Sequence, residues 1–202
     1  LYGWTWNYQL QQVFGAAQAP ATNLFVAHNA ESSASPAVRL RFATNHDQSA
    51  WDATPVTLFG GVEASFAAQA AAVLMGGVPL LYSGQEVGTS GTQSLFTKDP
   101  VNWSANPGLP ARFAKLFGLK AEHEVLRRGS LVPYSHPNVL AFERVLDGER
   151  VLVLLNTRAS TVTYNVPTAL RGTDWTNLLD SSKLSLENSL VLPPHSVRIL
   201  AN

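Results

Sequence analysis

The sequence predicts an α/β region followed by an all-β region. Short apolar strands alternate with helical patterns up to about residue 129, and alternating strand patterns dominate from residue 130 onward. Charged side chains are also scarce in the first half. We therefore expect two domains, at residues 1–129 and 130–202. A chain of 202 residues is long enough to bury a substantial core.

The composition excludes several classes of function. Hydrophobic residues make up 46% of the chain and charged residues 14%, which is typical of a folded globular protein. The 14 basic and 14 acidic residues balance, and no basic run indicates binding to nucleic acid or to an anionic membrane. The absence of cysteine excludes disulfides and thiolate metal sites. No apolar run approaches the roughly 18 residues of a membrane span.

Charge is distributed unevenly along the chain. Residues 1–97 carry seven charged side chains, namely Glu31, Arg39, Arg41, Asp47, Asp52, Glu63 and Glu86. A free-standing surface normally carries more charge than this. We therefore expect the first half to be the interior of a larger assembly, as in a parallel sheet covered by helices on both faces. Since the chain begins at Leu1 and shows no signal-peptide pattern, we interpret it as a fragment or a processed piece.

Periodicity predicts the elements of the α/β region. Helical spacing follows Asn7, and Thr22 can cap a second helix. Alternating residues from Val38 to Phe42 predict a strand that ends in the cluster Asn45-His46-Asp47. Then come an Ala-rich helix, a second buried strand and a last helix, predicted at about Val62–Met75, Val78–Tyr82 and Pro110–Glu124. The pair Gly76-Gly77 ends the Ala-rich helix.

The all-β region is predicted from four short runs and one turn. The runs are "VLAFERV", "RVLVLLN", "TVTYNV" and "SVRILA". Asp147-Gly148 lies between the first two runs, and this dipeptide accepts the positive φ angles of a type I′ hairpin turn. We expect a small antiparallel sandwich over residues 130–202.

These residues carry a resemblance to a known family. "RLRFATNHD", followed about thirty residues later by "GGVPLLYSGQEVG", resembles the last two barrel strands of the α-amylase family of glycoside hydrolases. "LYGWTWNYQLQQVF" is similar to the end of strand six and its helix, and "LFGLKAEHEVLRRGSLVPY" to helix eight leading into a β domain. The resemblance implies the C-terminal portion of a (β/α)8 TIM barrel, about strand six to helix eight, followed by an antiparallel β-sandwich.

The resemblance also implies a chemistry. It indicates a retaining enzyme acting on the α-1,4 bonds of starch or maltooligosaccharides, with two carboxylates about 5 Å apart as nucleophile and general acid. By motif position Asp47 matches the third carboxylate, which stabilises the transition state, while His46 and Asn45 match sugar-binding positions. The strands that supply the other two carboxylates in this family precede Leu1. None of Glu31, Asp52, Glu63 and Glu86 completes a pair. The chain alone is predicted to be inactive.

Several other side chains are candidates for binding. Trp51, Tyr82 and Trp103 can stack on sugar rings, although a core or loop-anchoring role is equally open to each. One of Arg39 and Arg41 can pair with a carboxylate beneath the active site, with the partner expected outside this sequence. The histidines show no metal-ligand spacing, so we expect neither a metal nor another cofactor in this chain. In this family a structural calcium is common, with ligands mostly outside this sequence, and a secreted or periplasmic location is favoured.

Alternative functions remain open at this point. A non-catalytic scaffold, like the amylase-like ectodomains that accompany amino-acid transporters, would share this pattern. A carbohydrate-binding module would require exposed aromatic residues in the β region, which offers Tyr134, Phe142, Tyr164 and Trp175. A transglycosidase of the same family cannot be separated from a hydrolase. An open barrel sheet also predicts self-association through its unpaired edges.

Overall fold

A computed structural model describes all 202 residues. Its helices are α1 (Trp4–Phe14), α2 (Asn23–Ala34), α3 (His46–Trp51), α4 (Pro55–Phe59), α5 (Val62–Leu74), α6 (Leu109–Glu122) and α7 (Glu124–Arg128). Two short strands, β1 (Leu40–Arg41) and β2 (Val78–Pro79), lie between helices, and a 3₁₀ turn follows β2 at Gln85–Val87. None of the helices has both the length and the apolar composition that a membrane crossing requires.

The strands of the first region are parallel. Leu40 of β1 lies opposite Val78 of β2, and Tyr2 forms an isolated parallel bridge with Leu40 on the other side of β1. Three successive segments of chain therefore run side by side in the same direction, each separated from the next by helices, which is the βα alternation expected from the sequence. Both strands are shorter than the five residues predicted for each.

Helix α5 lies in the interior and is buried on almost every side. Its Ala-rich sequence lets neighbouring elements approach closely, and its bounds agree with the predicted helix to within one residue. Gly77 then turns the chain into β2 with a φ of +85°. A Cβ at Gly77 would lie 2.5 Å from the carbonyl oxygen of Arg39, so only glycine allows β1 and β2 to meet here.

The second region is antiparallel. One sheet contains β3 (Ser130–Tyr134), β4 (Val139–Leu146), β5 (Glu149–Asn156), β10 (Val197–Ala201), β7 (Thr173–Asn177) and β8 (Lys183–Leu186), in that order. A second, two-stranded sheet pairs β6 (Val162–Asn165) with β9 (Ser189–Leu192). Asp147 and Gly148 join β4 to β5 with φ angles of +50° and +89°, as the type I′ prediction requires.

The large sheet is buried on both faces. One face contributes Phe142, Val153 and Ile199 to a core that also contains residues of α1, α2, α5 and α6. The other face contributes Leu152 and Trp175 to a smaller core that also contains Tyr164 of β6 and Leu192 of β9. The helical region and one face of the large sheet therefore share one apolar core. The middle strands of this sheet are buried on both faces.

Candidate active site

The candidate site lies where β1 and β2 end. Carboxyl ends of parallel strands meet at one edge of a sheet, and ligands of α/β proteins bind at that edge. The loop after β1 carries Asn45, His46 and Asp47, and the segment after β2 carries Tyr82. The two motifs singled out in the sequence therefore emerge side by side.

Asn45 positions the two residues that follow it. It has extended backbone angles and caps α3, with its side-chain Oδ1 accepting a hydrogen bond from the backbone N–H of Gln48 at 3.0 Å. Its Nδ2 is buried and has no hydrogen-bond partner. Asn45 is thus held by the backbone through one end of its amide, while the other end is enclosed by protein and out of contact with solvent.

His46 and Asp47 form the first turn of α3 and are open to solvent. Their side chains are 48% and 53% exposed, and Nε2 of His46 lies 3.4 Å from Oδ1 of Asp47. The half-buried ring of Tyr82 lies 6.4 Å from the His46 ring, centroid to centroid. The structure therefore brings His46, Asp47 and Tyr82 together. Trp51 lies at the other end of α3, and its ring is next to Phe96 instead.

Buried amide side chains fix the loop after β1, and sequence reasoning missed them. Asn7 of α1 donates from Nδ2 to the carbonyl oxygens of Phe42 and Ala43, at 2.9 and 3.0 Å. Gln48 of α3 donates to Oδ1 of Asn7 at 2.6 Å. Since each of these bonds satisfies a backbone or amide group in the interior, the loop has little freedom to move.

Two further glutamines join this loop to the segment after β2. Gln69 of α5 accepts from the N–H of Ala43 and donates to the carbonyl of Leu80, at 3.2 and 2.9 Å. Gln85 donates to both the carbonyl and the hydroxyl oxygen of Thr44, at 3.1 and 2.7 Å. A signal was present in the sequence, because Gln69 is the one amide inside an otherwise small and apolar helix.

The expected location of the arginine's partner was wrong. Arg41 is buried and forms an ion pair with Glu31 of α2, within this chain. Glu31 also accepts a hydrogen bond from the N–H of Trp6 at 3.0 Å, and the Arg41 guanidinium lies 5.0 Å from the Trp6 ring centroid. Burial and the nearby Arg41 charge lower the pKa of His28, which lies beside this pair. No local sequence pattern indicated this pair, because Arg41 and Glu31 belong to different elements.

The other carboxylates do not converge on Asp47 as a catalytic pair. Glu63 binds Arg112 with both oxygens, at 2.6 and 2.7 Å, and these hydrogen bonds lower the pKa of Glu63. Glu31 is held by Arg41. Glu86 lies half-buried in the 3₁₀ turn, and Asp52 is exposed at the end of α3.

No group of three or more His, Asp or Glu side chains in the structure is arranged to hold a metal ion. Calcium binds six to eight oxygen ligands, commonly with several carboxylates. No residue of this chain is therefore assigned to a metal, and no chemical step is assigned to one.

The aromatic residues of the β region lie mostly inside it. Phe142, Tyr164 and Trp175 are buried and Tyr134 is half-buried. A module that binds sugars through this region would need an exposed aromatic platform, and these four side chains do not provide one. This arrangement counts against the carbohydrate-binding module as an alternative.

Comparison with known proteins identifies the relatives of the chain. Residues 130–199 match the family model of the maltogenic amylase C-terminal domain. The β/α-amylase of Paenibacillus polymyxa is 27% identical over 130 residues, which is 61% of this chain and 11% of that protein. The chain therefore spans only about a tenth of the length of this curated relative.

Solved structures share the fold over nearly the whole chain. AmyP in complex with maltose has a TM-score of 0.80 at 18% identity, covering 99% of this chain and 49% of that protein. An Anoxybacillus α-amylase has a TM-score of 0.78, also at 18% identity, covering 97% and 45% respectively. The predicted resemblance is confirmed: this chain is similar to the C-terminal part of α-amylase-family glycoside hydrolases, with the maltogenic amylase C-terminal domain at residues 130–199.

Proposed function

We propose that this chain supplies one side of the active site of a retaining glycoside hydrolase that acts on α-1,4 bonds of starch or maltooligosaccharides. The observation that carries the proposal is the position of His46 and Asp47, exposed together where two parallel strands end. Residues 1–129 would form part of a (β/α)8 barrel, from about strand six to helix eight, and residues 130–202 a C-terminal sandwich domain. AmyP, a structural neighbour, was crystallised with maltose and with maltotriose, which supports an α-glucan as the substrate.

Each residue has a role in this proposal. Asp47 would hold the hydroxyls of the sugar at the cleavage point and stabilise the oxocarbenium-like transition state. His46 would donate a hydrogen bond to the same sugar. Asn45 is buried, so it would act by capping the helix that carries His46 and Asp47. The ring of Tyr82 would pack against the sugar face beside His46. Trp51 would contact sugar further along the glucan.

Catalysis requires a nucleophile and a protonated acid about 5 Å apart across the bond. Because no second carboxylate of this chain faces Asp47 in that way, both groups would come from another part of the parent protein. We expect the chain alone to bind glucan without cleaving it. Transfer of the glycosyl group is the second candidate reaction, since one solved neighbour is a γ-CGTase and another a cyclomaltodextrin glucanotransferase.

Substitution of Asp47 tests this proposal. Asp47→Asn keeps the size of the side chain but removes its charge, and hydrogen bonds to a charged group contribute about 1.5–3 kcal/mol. Affinity for maltoheptaose, measured by titration calorimetry, should therefore fall at least tenfold. Asp52→Asn is the matched control, because Asp52 is exposed at the other end of α3 and is assigned no contact.

Two results would contradict the proposal. Equal affinities of Asp47→Asn and the unmodified chain would show that Asp47 does not contact the sugar. Release of reducing ends from maltoheptaose by the purified chain, free of host amylase, would show that the assignment of the missing carboxylates is wrong.

A further inference from the structure

Two aromatic rings lie next to each other in solvent, away from His46 and Asp47. Trp51 is 69% exposed and Phe96 is 82% exposed, yet their ring centroids are only 6.1 Å apart, with the planes inclined at 53°. We call this pair the Trp51–Phe96 platform. Exposed apolar side chains that adjoin each other on a surface mark binding sites more often than single ones do.

The platform is held in place by the loop that carries Phe96. Oγ of Ser94 accepts hydrogen bonds from the N–H groups of Phe96 and Thr97, at 3.2 and 3.1 Å. The N–H of Ser94 in turn donates to Oδ2 of Asp99 at 2.8 Å. Because these hydrogen bonds lie within the loop itself, they hold the exposed Phe96 without any packing of its ring against the core.

The same loop is attached to the helix that carries Trp51. The N–H of Gln93 donates to the carbonyl of Ser49 in α3 at 2.9 Å, and Nε2 of Gln93 donates to the carbonyl of Ser83 at 3.0 Å. Gln93 is buried, and its Oε1 has no partner. Gln93 therefore attaches the segment that leads to Phe96 to α3, close in sequence to Trp51.

The surroundings of the platform suit a neutral, polyhydroxylated ligand. The rings border a cleft of about 360 Å³, which is also lined by Thr92, Lys98 and Asp99. One cation and one anion balance in this lining, so it favours neither a phosphate nor a cationic partner. Flat aromatic faces match the C–H surface of a sugar ring, and hydroxyl, ammonium and carboxylate groups at the rim match its hydroxyls.

The position of the platform relates it to the candidate active site. Trp51 is five residues beyond His46 in the same helix, about 7.5 Å along the helix axis. We propose that the Trp51–Phe96 platform is an additional sugar-binding site, engaged by α-glucans that are long enough to extend from the Asp47 position along α3. This inference rests on the proposed function. It makes the platform the feature that favours binding of long glucans over short ones.

The test compares ligands of two lengths. We expect Trp51→Ala and Phe96→Ala each to weaken maltoheptaose binding about tenfold in titration calorimetry, because each removes one stacking face, and to leave maltose binding unchanged. Trp51→Phe keeps an aromatic face and should retain most of the affinity. Tyr8→Ala is the matched control, since Tyr8 is an aromatic residue that is 60% exposed on α1 and is assigned no sugar contact. Circular dichroism verifies that each variant is folded.

The outcomes separate this inference from the proposed function. If Asp47→Asn weakens binding but the platform variants do not, the platform is overturned and the proposed function stands. If the platform variants weaken binding but Asp47→Asn does not, the role of Asp47 fails, and with it the extension from Asp47, while the platform stands as a separate glucan site. Equal losses for maltose and maltoheptaose, absence of any maltoheptaose binding, or equal binding of the β-linked cellohexaose would overturn the platform as an extended α-glucan site.

Discussion

The ammonium group of Lys120, a residue of α6, is buried against the C-terminal end of α5. Its Nζ donates to the carbonyl of Val73 at 2.7 Å, in the last turn of α5, where the helix dipole favours a cation. Arg144 donates to the carbonyl of Met75, the residue that caps this helix, at 3.3 Å. Burial, together with the nearby charges of Arg144 and Arg127, lowers the pKa of Lys120 from 10.5 to about 8.

This shift predicts a pH dependence of stability. Below pH 8 Lys120 is charged in both states, and burying the charge destabilises the fold. Between pH 8 and 10.5 the unfolded chain holds a proton that the folded chain has released, so the free energy of unfolding should rise with pH, by about 1–3 kcal/mol. Urea unfolding across this range measures the rise.

Two substitutions check the assignment to Lys120. Lys120→Met removes the titrating group and should flatten the profile above pH 8, whereas Lys98→Met removes an exposed lysine and should preserve it. A profile that rises equally in Lys120→Met would assign the effect to another group.

At the residue scale, the sequence was sufficient to locate the candidate site residues that are adjacent in the chain. Asn45, His46 and Asp47 are consecutive, and the polar cluster after an apolar run placed them at a strand end. The ion pair of Arg41 with Glu31 joins a strand to the preceding helix, and no local pattern specifies it. Such pairs depend on how helices pack against the sheet, which only the folded chain defines.

At the element scale, prediction succeeded where local signals are strong. The Ala-rich sequence of α5 lies between glycine pairs, and Asp147-Gly148 determines the β4–β5 hairpin. Strands β3, β7, β8 and β9 were not predicted, because each is only four or five residues long and pairing with a neighbour defines it. The lengths of β1 and β2 likewise depend on how many of their residues pair with a neighbouring strand.

The glutamine inside α5 links helix to loop and predicts a stability effect. Gln69→Leu keeps a good helix former but leaves the N–H of Ala43 and the carbonyl of Leu80 without partners. An unsatisfied buried polar group costs about 1–3 kcal/mol, so the free energy of unfolding should fall by at least this amount. Urea unfolding monitored by tryptophan fluorescence measures the loss.

A matched substitution isolates the hydrogen bonds of Gln69 from the change of residue type. Gln12→Leu in α1 makes the same replacement at a half-buried position and should change stability by no more than about 0.5 kcal/mol. Similar losses in both variants would mean that Gln69 stabilises the chain by packing alone.

At the scale of the whole molecule, one core joins the two regions. Arg158, beyond β5, donates to the carbonyl oxygens of Val13 and Ala19, at 2.9 and 2.8 Å, and so binds the sheet region to the α1–α2 connection. Phe25 of α2 packs edge-on against Phe142 of β4, at 6.3 Å between centroids. The β region therefore supports the elements that carry the candidate site.

The edges of the parallel strands predict self-association. Leu1, Tyr2 and Val78 are exposed at the two sides of the three parallel segments, and β2 pairs only with β1. Unpaired strand edges and adjoining apolar side chains favour pairing with a second copy. Light scattering at micromolar concentration should therefore give a mass above that of one chain.

Val78→Lys places a charge on the β2 edge and should shift the population toward monomer, while Val26→Lys, at an exposed position on α2, should not. A monomeric mass for the unmodified chain at every concentration would contradict association through these edges.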